Sequence, residues 1–268
     1  MKTRAITGFF FVSVMLASVL LGAYPFTIFF LMISLLSVSE FYNLVKGDEV
    51  KPNKIAGLML TVSIYIPMSL YYLEETSISV FLVCVPFGVL VIVAELYRNL
   101  KNPFHNISYT LLGVLFAVLP FCFFYSLAFT RDEYSSHIPL AFLLMLWSSD
   151  TGAYLFGISL GKNRLFERHS PKKSWEGFAG GLVCSMLAAY IISFYFIELD
   201  LVHWIVISII IVCAGTLGDL SESMLKRSLS IKDSGSFLPG HGGLLDRFDG
   251  LLLAAPLVFV YLTFIQSF

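Results

Sequence analysis

The sequence predicts an all-α integral membrane protein, a polytopic bundle of about nine transmembrane helices. Three observations lead to this prediction: the composition, the length of the apolar runs, and the distribution of basic residues between those runs. Of the 268 residues, 57% are hydrophobic and only 13% are charged, and the mean hydropathy is +0.84. Soluble domains carry about 25% charged residues. This chain therefore has too little polar surface to cover a globule in water, and a bilayer is the simplest solvent for it.

Long apolar runs divide the chain at the spacing expected of membrane helices. A helix needs about 20 mostly apolar residues to cross the hydrocarbon core. Such runs occur near residues 5–22, 24–45, 55–73, 77–97, 107–129, 137–159, 176–197, 201–219 and 244–266. No soluble domain interrupts them, so residues 1–268 are expected to form a single membrane domain, in which residues 1–106 are the N-terminal helices.

The basic residues predict the orientation of these helices. If the loops alternate between the two sides, 16 of the 17 Lys and Arg residues lie on the side of the N-terminus, and Arg131 lies on the other. Basic loops mark the cytoplasmic side, so the N-terminus is expected in the cytoplasm. The long loops 160–175 and 220–243 then also face the cytoplasm, and function is expected there. Glu40 and Glu95, near the cytoplasmic ends of their runs, are expected to be interfacial. The net charge of −1 suggests no nucleic-acid partner.

Acidic residues enter the ends of the last two apolar runs, where ionisable side chains are costly. Asp219 closes one run, while Asp246 and Asp249 are three residues apart and share a helical face at the start of the other. Carboxylates at one membrane level repel each other unless a cation lies among them. Oxygen ligands of this kind suit Mg²⁺ together with substrate phosphates. An ordinary charged loop would explain the nearby basic residues but not acids within the spans.

Cations and glycines accompany these acids. Four basic residues lie beside them in the sequence: Lys226, Arg227, Lys232 and Arg247. A triphosphate needs such cations next to a metal–carboxylate cluster. The glycine-rich residues 240–243 let backbone N–H groups approach an anion closely. Helical spacing also predicts that Asp219, Ser223 and Lys226 share one face of a helix. Together these features favour a site for anions and a metal.

A second polar block lies within and after the sixth apolar run. Asp150 falls inside the run at 137–159, where an acid is either functional or a partner in a hydrogen bond between helices. Pro171 suits the first turn of a helix. Lys172 and Lys173 are therefore expected at the mouth of the seventh span, where they either meet phosphate or anchor the helix on the cytoplasmic side.

Residues 223–249 resemble the signature of the phosphatidate cytidylyltransferase family. That signature runs Ser-x-apolar-Lys-Arg, four residues, Lys-Asp-x-small, two residues, apolar-Pro or apolar-Gly, one residue, His-Gly-Gly, and apolar-x-Asp-Arg-apolar-Asp. This chain meets it at Ser223, Lys226, Arg227, Lys232, Asp233, Gly235, Leu238, Pro239, His241, Gly242, Gly243, Asp246, Arg247 and Asp249. The blocks 150–154 and 170–177 also look like family sequence, so the resemblance covers residues 145–250.

The resemblance implies that CTP and phosphatidate are converted to CDP-diacylglycerol and pyrophosphate in phospholipid biosynthesis. It implies a multi-pass, homodimeric enzyme of the cell (inner) membrane, surrounded by membrane lipids, with its active site facing the cytoplasm. Residues 107–268 would form its catalytic helices. Mg²⁺ is implied as the cofactor, and a second cation is left open. The implied metal ligands are Asp219, Asp246 and Asp249. The residues implied in catalysis are Asp219, Ser223, Lys226, Arg227 and Asp246. Those implied in substrate binding are Asp150, Lys172, Lys173, Lys226, Arg227, Lys232, His241 and Arg247.

The expected chemistry needs no protein nucleophile. The phosphate of phosphatidate is already an anionic oxygen nucleophile, so it can attack the α-phosphorus of CTP directly while the enzyme supplies alignment and positive charge. Two alternatives are left open. An ion-coupled transporter would also carry acids within its spans, although the polar residues here cluster on one side rather than at the midplane. A cytidylyltransferase or kinase acting on another lipid is the second alternative.

Overall fold

The computed structural model describes residues 2–131, 133–231, 234–235 and 242–266, and most of these are helical. The α-helices are α1 (Lys2–Leu20), α2 (Ala23–Val45), α3 (Lys54–Leu73), α4 (Cys84–Arg98), α5 (Pro103–Ala117), α6 (Leu119–Ser126), α7 (His137–Leu160), α8 (Trp175–Ile192), α9 (Leu201–Ser228) and α10 (Leu245–Gln266). A short 3₁₀ helix, Ile78–Val83, leads into α4, and another, Leu127–Phe129, follows α6.

Within the described residues, eight helical stretches are long and apolar enough to cross a membrane. Two of them, Ile78–Arg98 and Pro103–Phe129, join an α-helix to neighbouring short helices. α1 contributes a shorter apolar stretch, Ile6–Leu20. The prediction of an all-α, polytopic membrane protein is therefore confirmed, and the nine predicted runs correspond to these eight spans and α1.

The largest departure from the predicted boundaries is at the end of α9. The apolar run ends at residue 219, but the helix continues to Ser228. Lys226 and Arg227 lie in its last turn, where positive charge interacts favourably with the helix dipole. The helical spacing predicted for Asp219, Ser223 and Lys226 is thus confirmed, and the loop expected from residue 220 begins only after the helix ends.

Contacts divide the chain into two compact units. The first unit consists of Met1–Tyr125 with Asp233–Arg247, and the second of Ser126–Lys232 with Phe248–Phe268. Helix α10 therefore begins in the first unit and continues in the second. The sequence predicts a single membrane domain with N-terminal helices before residue 107 and catalytic helices after it. This division is defined by function, which contacts do not test, so it stays a prediction.

In the first unit, α2, α3 and α5 pack around Tyr42. Its hydroxyl donates a 2.7 Å hydrogen bond to the carbonyl oxygen of Thr110. Its ring fills the space that side chains would take at Gly57 on α3 and Gly113 on α5. Aromatic rings extend this core: Phe26, Phe30, Phe121 and Phe124 are all fully buried. Membrane helices associate through such close packing because lipid tails offer no hydrophobic drive between helices.

Glu95, near the end of α4, is buried among protein side chains, and its expected position at the membrane interface stays a prediction. One carboxylate oxygen lies 2.7 Å from Nη1 of Arg98, and the other accepts a 2.6 Å hydrogen bond from Nδ2 of Asn106. The Glu95 side chain is only 2% exposed. Arg98 also donates a 2.9 Å hydrogen bond to the carbonyl oxygen of Lys51. Because a buried charge is tolerated only when it is paired, this network ties α4 to α5 and to the loop before α3.

In the second unit, α7 and α8 approach each other at backbone distance through glycines. A Cβ atom at Gly152 would lie 2.7 Å from the carbonyl oxygen of Gly180, and one at Gly181 would lie 2.9 Å from the carbonyl oxygen of Ser149. Neither distance leaves room for a side chain. Small residues at such crossings are typical of helix packing in membranes. The crossing fixes α7, which carries Asp150, against α8.

A short β-hairpin, which the sequence did not predict, connects α7 to α8. Its strands are β1 (Arg164–Phe166) and β2 (Ser170–Ser174), and they pair antiparallel in a two-stranded sheet. In the register of this pairing, Arg164 lies opposite Ser174, with an irregularity before the next pair. Such a ribbon lacks the long alternating apolar pattern that reveals a strand in a sequence.

The hairpin changes the expected position of two lysines. Pro171 was expected to begin a helix but lies in β2, and α8 begins only after the strand ends. A proline is tolerated there because strands at the edge of a sheet leave alternate N–H groups unpaired. Lys172 and Lys173 consequently belong to a strand rather than to a helical turn.

Candidate active site

A cavity of about 360 Å³ lies within the second unit. Its walls come from α7, the hairpin, α8, α9 and the first turns of α10. The polar residues that line it are Ser149, Asp150, Tyr154, Lys172, Lys173, Ser174, Thr216, Asp219 and Asp249. Five of these were predicted as site residues from the sequence: Asp150, Lys172, Lys173, Asp219 and Asp249. The structure therefore brings together acids and lysines that are up to about one hundred residues apart in the chain.

Asp219 makes polar contacts from two directions at the cavity wall. Nζ of Lys173 forms an ion pair with its Oδ2. Oγ of Ser223, one turn further along α9, donates a 3.3 Å hydrogen bond to its Oδ1. The side chains of Lys173 and Asp219 are 28% and 32% exposed, so the pair is accessible from the cavity. A lysine in this position can exchange its carboxylate partner for a phosphate oxygen, which makes an equally strong charge-assisted hydrogen bond.

Glycines set the distance between α9 and α10 beside the cavity. A Cβ atom at Gly218 would overlap the carbonyl oxygen of Asp249, and one at Gly215 would lie 3.3 Å from the carbonyl oxygen of Gly250. The backbones of the two helices are therefore in direct contact next to Asp219. Oδ1 of Asp249 accepts a 2.7 Å hydrogen bond from the N–H of Gly250. The close crossing allows both carboxylates to line one cavity.

The carboxylates of the cavity fit a metal ion that is completed by its substrate. Within the part of the chain that the structure describes, no three Asp, Glu, His or Cys side chains form a ready-made metal site. Asp219, Asp249 and Asp150 nevertheless line the same cavity. Mg²⁺ prefers oxygen donors and usually takes one or two carboxylates together with substrate phosphates and water. The donor chemistry thus fits Mg²⁺ bound together with a triphosphate.

Asp246 makes its described contacts in the first unit. Its Oδ2 accepts hydrogen bonds from the backbone N–H groups of Ser234 at 3.0 Å and Gly243 at 2.9 Å. Gly242 has a φ of +82°, and a Cβ atom there would lie 2.7 Å from the same carboxylate oxygen. Glycine is therefore required at position 242 for both reasons. Asp246 takes part in shaping the glycine-rich segment, and its role as a metal ligand stays a prediction.

The basic residues at the end of α9 have protein partners of their own. Nζ of Lys226 lies 2.6 Å from Oε2 of Glu222, whose side chain is 1% exposed. Nη1 of Arg227 donates a 2.9 Å hydrogen bond to the carbonyl oxygen of Ile231. A carboxylate this deeply buried needs a cationic partner. Lys226 therefore has a structural role in addition to the phosphate contact that the resemblance implies.

Three further residues were predicted from the sequence. Arg247 is exposed in the first turn of α10. Lys232 and His241 lie outside the described residues. The catalytic and substrate-binding roles that the resemblance implies for these three residues, as for Ser223, stay predictions.

Glu176, which the sequence did not single out, holds the turn between α7 and the hairpin. Its carboxylate accepts hydrogen bonds from the N–H of Lys162 at 3.1 Å, from the N–H of Asn163 at 3.2 Å and from Nδ2 of Asn163 at 2.7 Å. Ser174 caps α8 by accepting a 3.1 Å hydrogen bond from a backbone N–H of the first turn. A serine cap followed by an acid is a signal for a helix start. The sequence prediction instead placed the start at Pro171 and did not use this signal.

Replacing Glu176 with alanine is expected to loosen the hairpin that carries Lys172 and Lys173. The Michaelis constant for CTP, the substrate that the resemblance implies, should rise by roughly threefold to tenfold, with a smaller change in kcat. Steady-state kinetics and hydrogen exchange of the Lys162 and Asn163 amides measure the two effects. Glu167→Ala removes an exposed acid from the same hairpin; an equal effect in that variant would show that charge, and not the contact, is responsible.

Known proteins match this chain over nearly its whole length. A phosphatidate cytidylyltransferase of Staphylococcus haemolyticus (strain JCSC1435) is 33% identical over 264 residues, covering 98% of this chain and 99% of the relative. That of Staphylococcus aureus (strain COL) is 34% identical over 270 residues, covering 100% of both chains. That of Bacillus subtilis (strain 168) is 33% identical over 266 residues, covering 98% and 97%. The family resemblance predicted from the 223–249 signature is confirmed. The match to the family extends over residues 2–265, and the chain belongs to the cytidylyltransferase family.

Proposed function

We propose that the protein is a CTP:phosphatidate cytidylyltransferase, which converts CTP and phosphatidate to CDP-diacylglycerol and pyrophosphate. One observation carries the proposal: Lys173 and Asp219 pair at the wall of a cavity that Asp249 and Lys172 also line. A cavity that combines accessible lysines with carboxylates suits a reaction between two polyanions that needs a divalent cation. Membership of the family and the names of the full-length relatives support the same activity.

The reaction is a single displacement at phosphorus. An oxygen of the phosphatidate phosphate attacks the α-phosphorus of CTP and forms a new P–O bond. The bond from the α-phosphorus to the bridging oxygen breaks, and pyrophosphate leaves with that electron pair. The nucleophile is already anionic, so no protein nucleophile or general base is needed. Lys172 and Lys173 would reduce the repulsion between the two substrates and align them, which is catalysis by position and charge.

The carboxylates have two tasks in this proposal. Asp219 and Asp249 would hold Mg²⁺, with Asp246 as a third ligand on the strength of the family signature. A metal held there would supply positive charge for the triphosphate and for the departing pyrophosphate. Asp150 lies within electrostatic reach of Lys173. It would keep the ammonium group of Lys173 at the cavity wall when Asp219 faces the metal.

The proposal also includes an orientation in the membrane. The N-terminus and the cavity would face the cytoplasm of a bacterial cell, because 16 of the 17 basic residues fall on that side. CTP would enter from the cytoplasm, and phosphatidate would enter sideways from the inner leaflet of the inner membrane. The enzyme would act there as a homodimer surrounded by membrane lipids.

Product formation from individual nucleotides tests the proposal. Purified protein in mixed micelles with phosphatidate and Mg²⁺ is expected to release pyrophosphate and form a lipid-linked nucleotide with CTP. The rate should be at least about tenfold higher than with ATP, GTP or UTP, because a site that reads the base rejects the others by unpaired polar groups. Removal of Mg²⁺ with EDTA should stop the reaction, and added Mg²⁺ should restore it.

Two outcomes would contradict the proposal. If no triphosphate gives product under conditions in which the Bacillus subtilis relative is active, the enzyme reading fails and ion-coupled transport becomes the leading alternative. If the protein phosphorylates diacylglycerol, it is a lipid kinase. If it prefers another lipid phosphate to phosphatidate, it is a cytidylyltransferase for that lipid.

A further inference from the structure

The carboxylate of Glu40, near the end of α2, binds the segment that contains the family signature. Oε1 accepts a 2.6 Å hydrogen bond from Oγ of Ser234 and a 3.1 Å hydrogen bond from the N–H of Leu245. Oε2 accepts a 2.8 Å hydrogen bond from the N–H of Leu244. Glu40 is half-buried and Ser234 is 4% exposed. Glu40 therefore accepts three hydrogen bonds from residues 234–245, which its place near the end of an apolar run did not predict.

The same carboxylate explains two glycines of the signature. A Cβ atom at Gly235 would lie 3.1 Å from Cδ of Glu40, and one at Gly243 would lie 2.7 Å from it. At Gly243 the added atom would also overlap Oγ of Ser234. Both glycines leave space for the Glu40–Ser234 pair. The small residues at these positions are therefore explained by a side chain that comes from the second helix of the protein.

Glu40 also completes the beginning of α10. The first N–H groups of a helix have no partner within the helix, and Leu244 and Leu245 supply two donors at this end. A carboxylate placed there satisfies them and interacts favourably with the positive end of the helix dipole. Asp246, in the first turn of α10, holds the backbone N–H groups of Ser234 and Gly243 from the other side. Two carboxylates thus hold Ser234 and the backbone that leads into α10.

We infer that Glu40 is a positioning residue of the proposed active site: it clamps Ser234 and the start of α10, and so sets the position of the helix that carries Asp246 and Asp249. This inference rests on the proposed function for the claim that the carboxylates of α10 act in catalysis. Glu40 itself would not touch the substrates, because its oxygens are directed at Ser234, Leu244 and Leu245. Its effect passes through the start of α10.

Glu40→Gln tests the inference. An amide has the size of the carboxylate, but its NH₂ group would face a backbone N–H, so one of the three hydrogen bonds is replaced by a repulsive contact. We expect kcat to fall by about 10- to 100-fold with a smaller change in the Michaelis constants, since misplacement by about 1 Å is enough for such a loss. Hydrogen exchange of the peptide that contains Leu244 and Leu245 should accelerate by about tenfold or more.

Two further variants separate positioning from simple loss of stability. Glu95→Gln alters another buried carboxylate of the first unit, whose partners are Arg98 and Asn106. It should lower the unfolding temperature but leave kcat per folded molecule and the exchange of the Leu244 region unchanged.

Ser234→Ala removes one donor and keeps the carboxylate, so it should give a smaller loss of kcat than Glu40→Gln. The double variant with Glu40→Gln should be less impaired than the product of the two single effects, because both remove one shared contact.

The outcomes distinguish this inference from the proposed function. Unchanged exchange at Leu244 and Leu245 in Glu40→Gln, or an unchanged kcat in an active preparation, would overturn the inference. A wild-type protein with no cytidylyltransferase activity, but with exchange that accelerates in Glu40→Gln, would refute the proposed function and leave the clamp in place. If Glu40→Gln does not fold, Ser234→Ala carries the test, and wild-type exchange and kcat in that variant would overturn the inference.

Discussion

Replacing Asp219 with asparagine is expected to lower the rate of CDP-diacylglycerol formation by about 10²- to 10³-fold. The amide keeps the shape of the side chain but removes the charge that pairs with Lys173 and would bind Mg²⁺. The Mg²⁺ concentration that gives half-maximal rate should rise by about tenfold or more, because one carboxylate ligand is lost. Steady-state kinetics in mixed micelles over a Mg²⁺ series measure both effects.

Asp48→Asn is the matched control for this substitution. Asp48 is an exposed acid in the loop between α2 and α3, so the variant makes the same chemical change away from the cavity. Its rate and Mg²⁺ dependence should equal those of the wild type. A folded Asp219→Asn variant with a rate within about threefold of the wild type would contradict this prediction. The charge of Asp219 would then not contribute to catalysis, and Asp219 would not be a metal ligand.

Replacing Gly218 with alanine is expected to impair both stability and turnover. A Cβ atom at this position would overlap the backbone carbonyl oxygen of Asp249, and backbone cannot move aside as a flexible side chain can. Helices α9 and α10 would have to separate at the turn that carries Asp219. Overpacking of this kind costs about 1–3 kcal/mol. The displacement of the two carboxylates should lower kcat by about 10²-fold.

Gly88→Ala provides the comparison. Gly88 lies within α4 and has no atom within 4 Å of an added Cβ, so alanine there meets open space. This variant should be as active as the wild type and equally or more stable, because alanine favours a helix by about 1 kcal/mol relative to glycine. Thermal unfolding in detergent and the cytidylyltransferase assay compare the two. Equal behaviour of both variants would show that the α9–α10 crossing tolerates a side chain.

The sequence by itself determined the membrane class, the helical architecture and the family. Apolar runs report spans directly because each run depends only on local composition and on the thickness of the bilayer. The spacing of Asp219, Ser223 and Lys226 correctly predicted a shared helical face beyond the apolar run, whereas the end of that helix at Ser228 was not predicted. The dense signature at 223–249 identified the family because it fixes residue types at many positions within one continuous segment.

The sequence also supplied most members of the candidate site, although not their arrangement. It named Asp150, Lys172, Lys173, Asp219 and Asp249, which the structure places on one cavity. It placed Lys172 and Lys173 at the start of a helix, whereas they lie on a hairpin too short to show a strand pattern. The roles of Lys232 and His241 stay predictions, because these residues lie outside the described part of the chain.

Only the tertiary structure decided which side chains meet. Glu40 and Ser234 are 194 positions apart, and no local pattern links an acid in the second helix to a serine in the signature. Glu95 likewise lies near the end of an apolar run, and no local pattern predicts that it is buried with Asn106 of another helix. The physical reason is the same in both cases. Hydropathy and periodicity are properties of one segment, whereas the partner of a carboxylate depends on which helices pack closely. That packing depends on glycines such as Gly152, Gly218 and Gly243, whose neighbours become visible only in the folded chain.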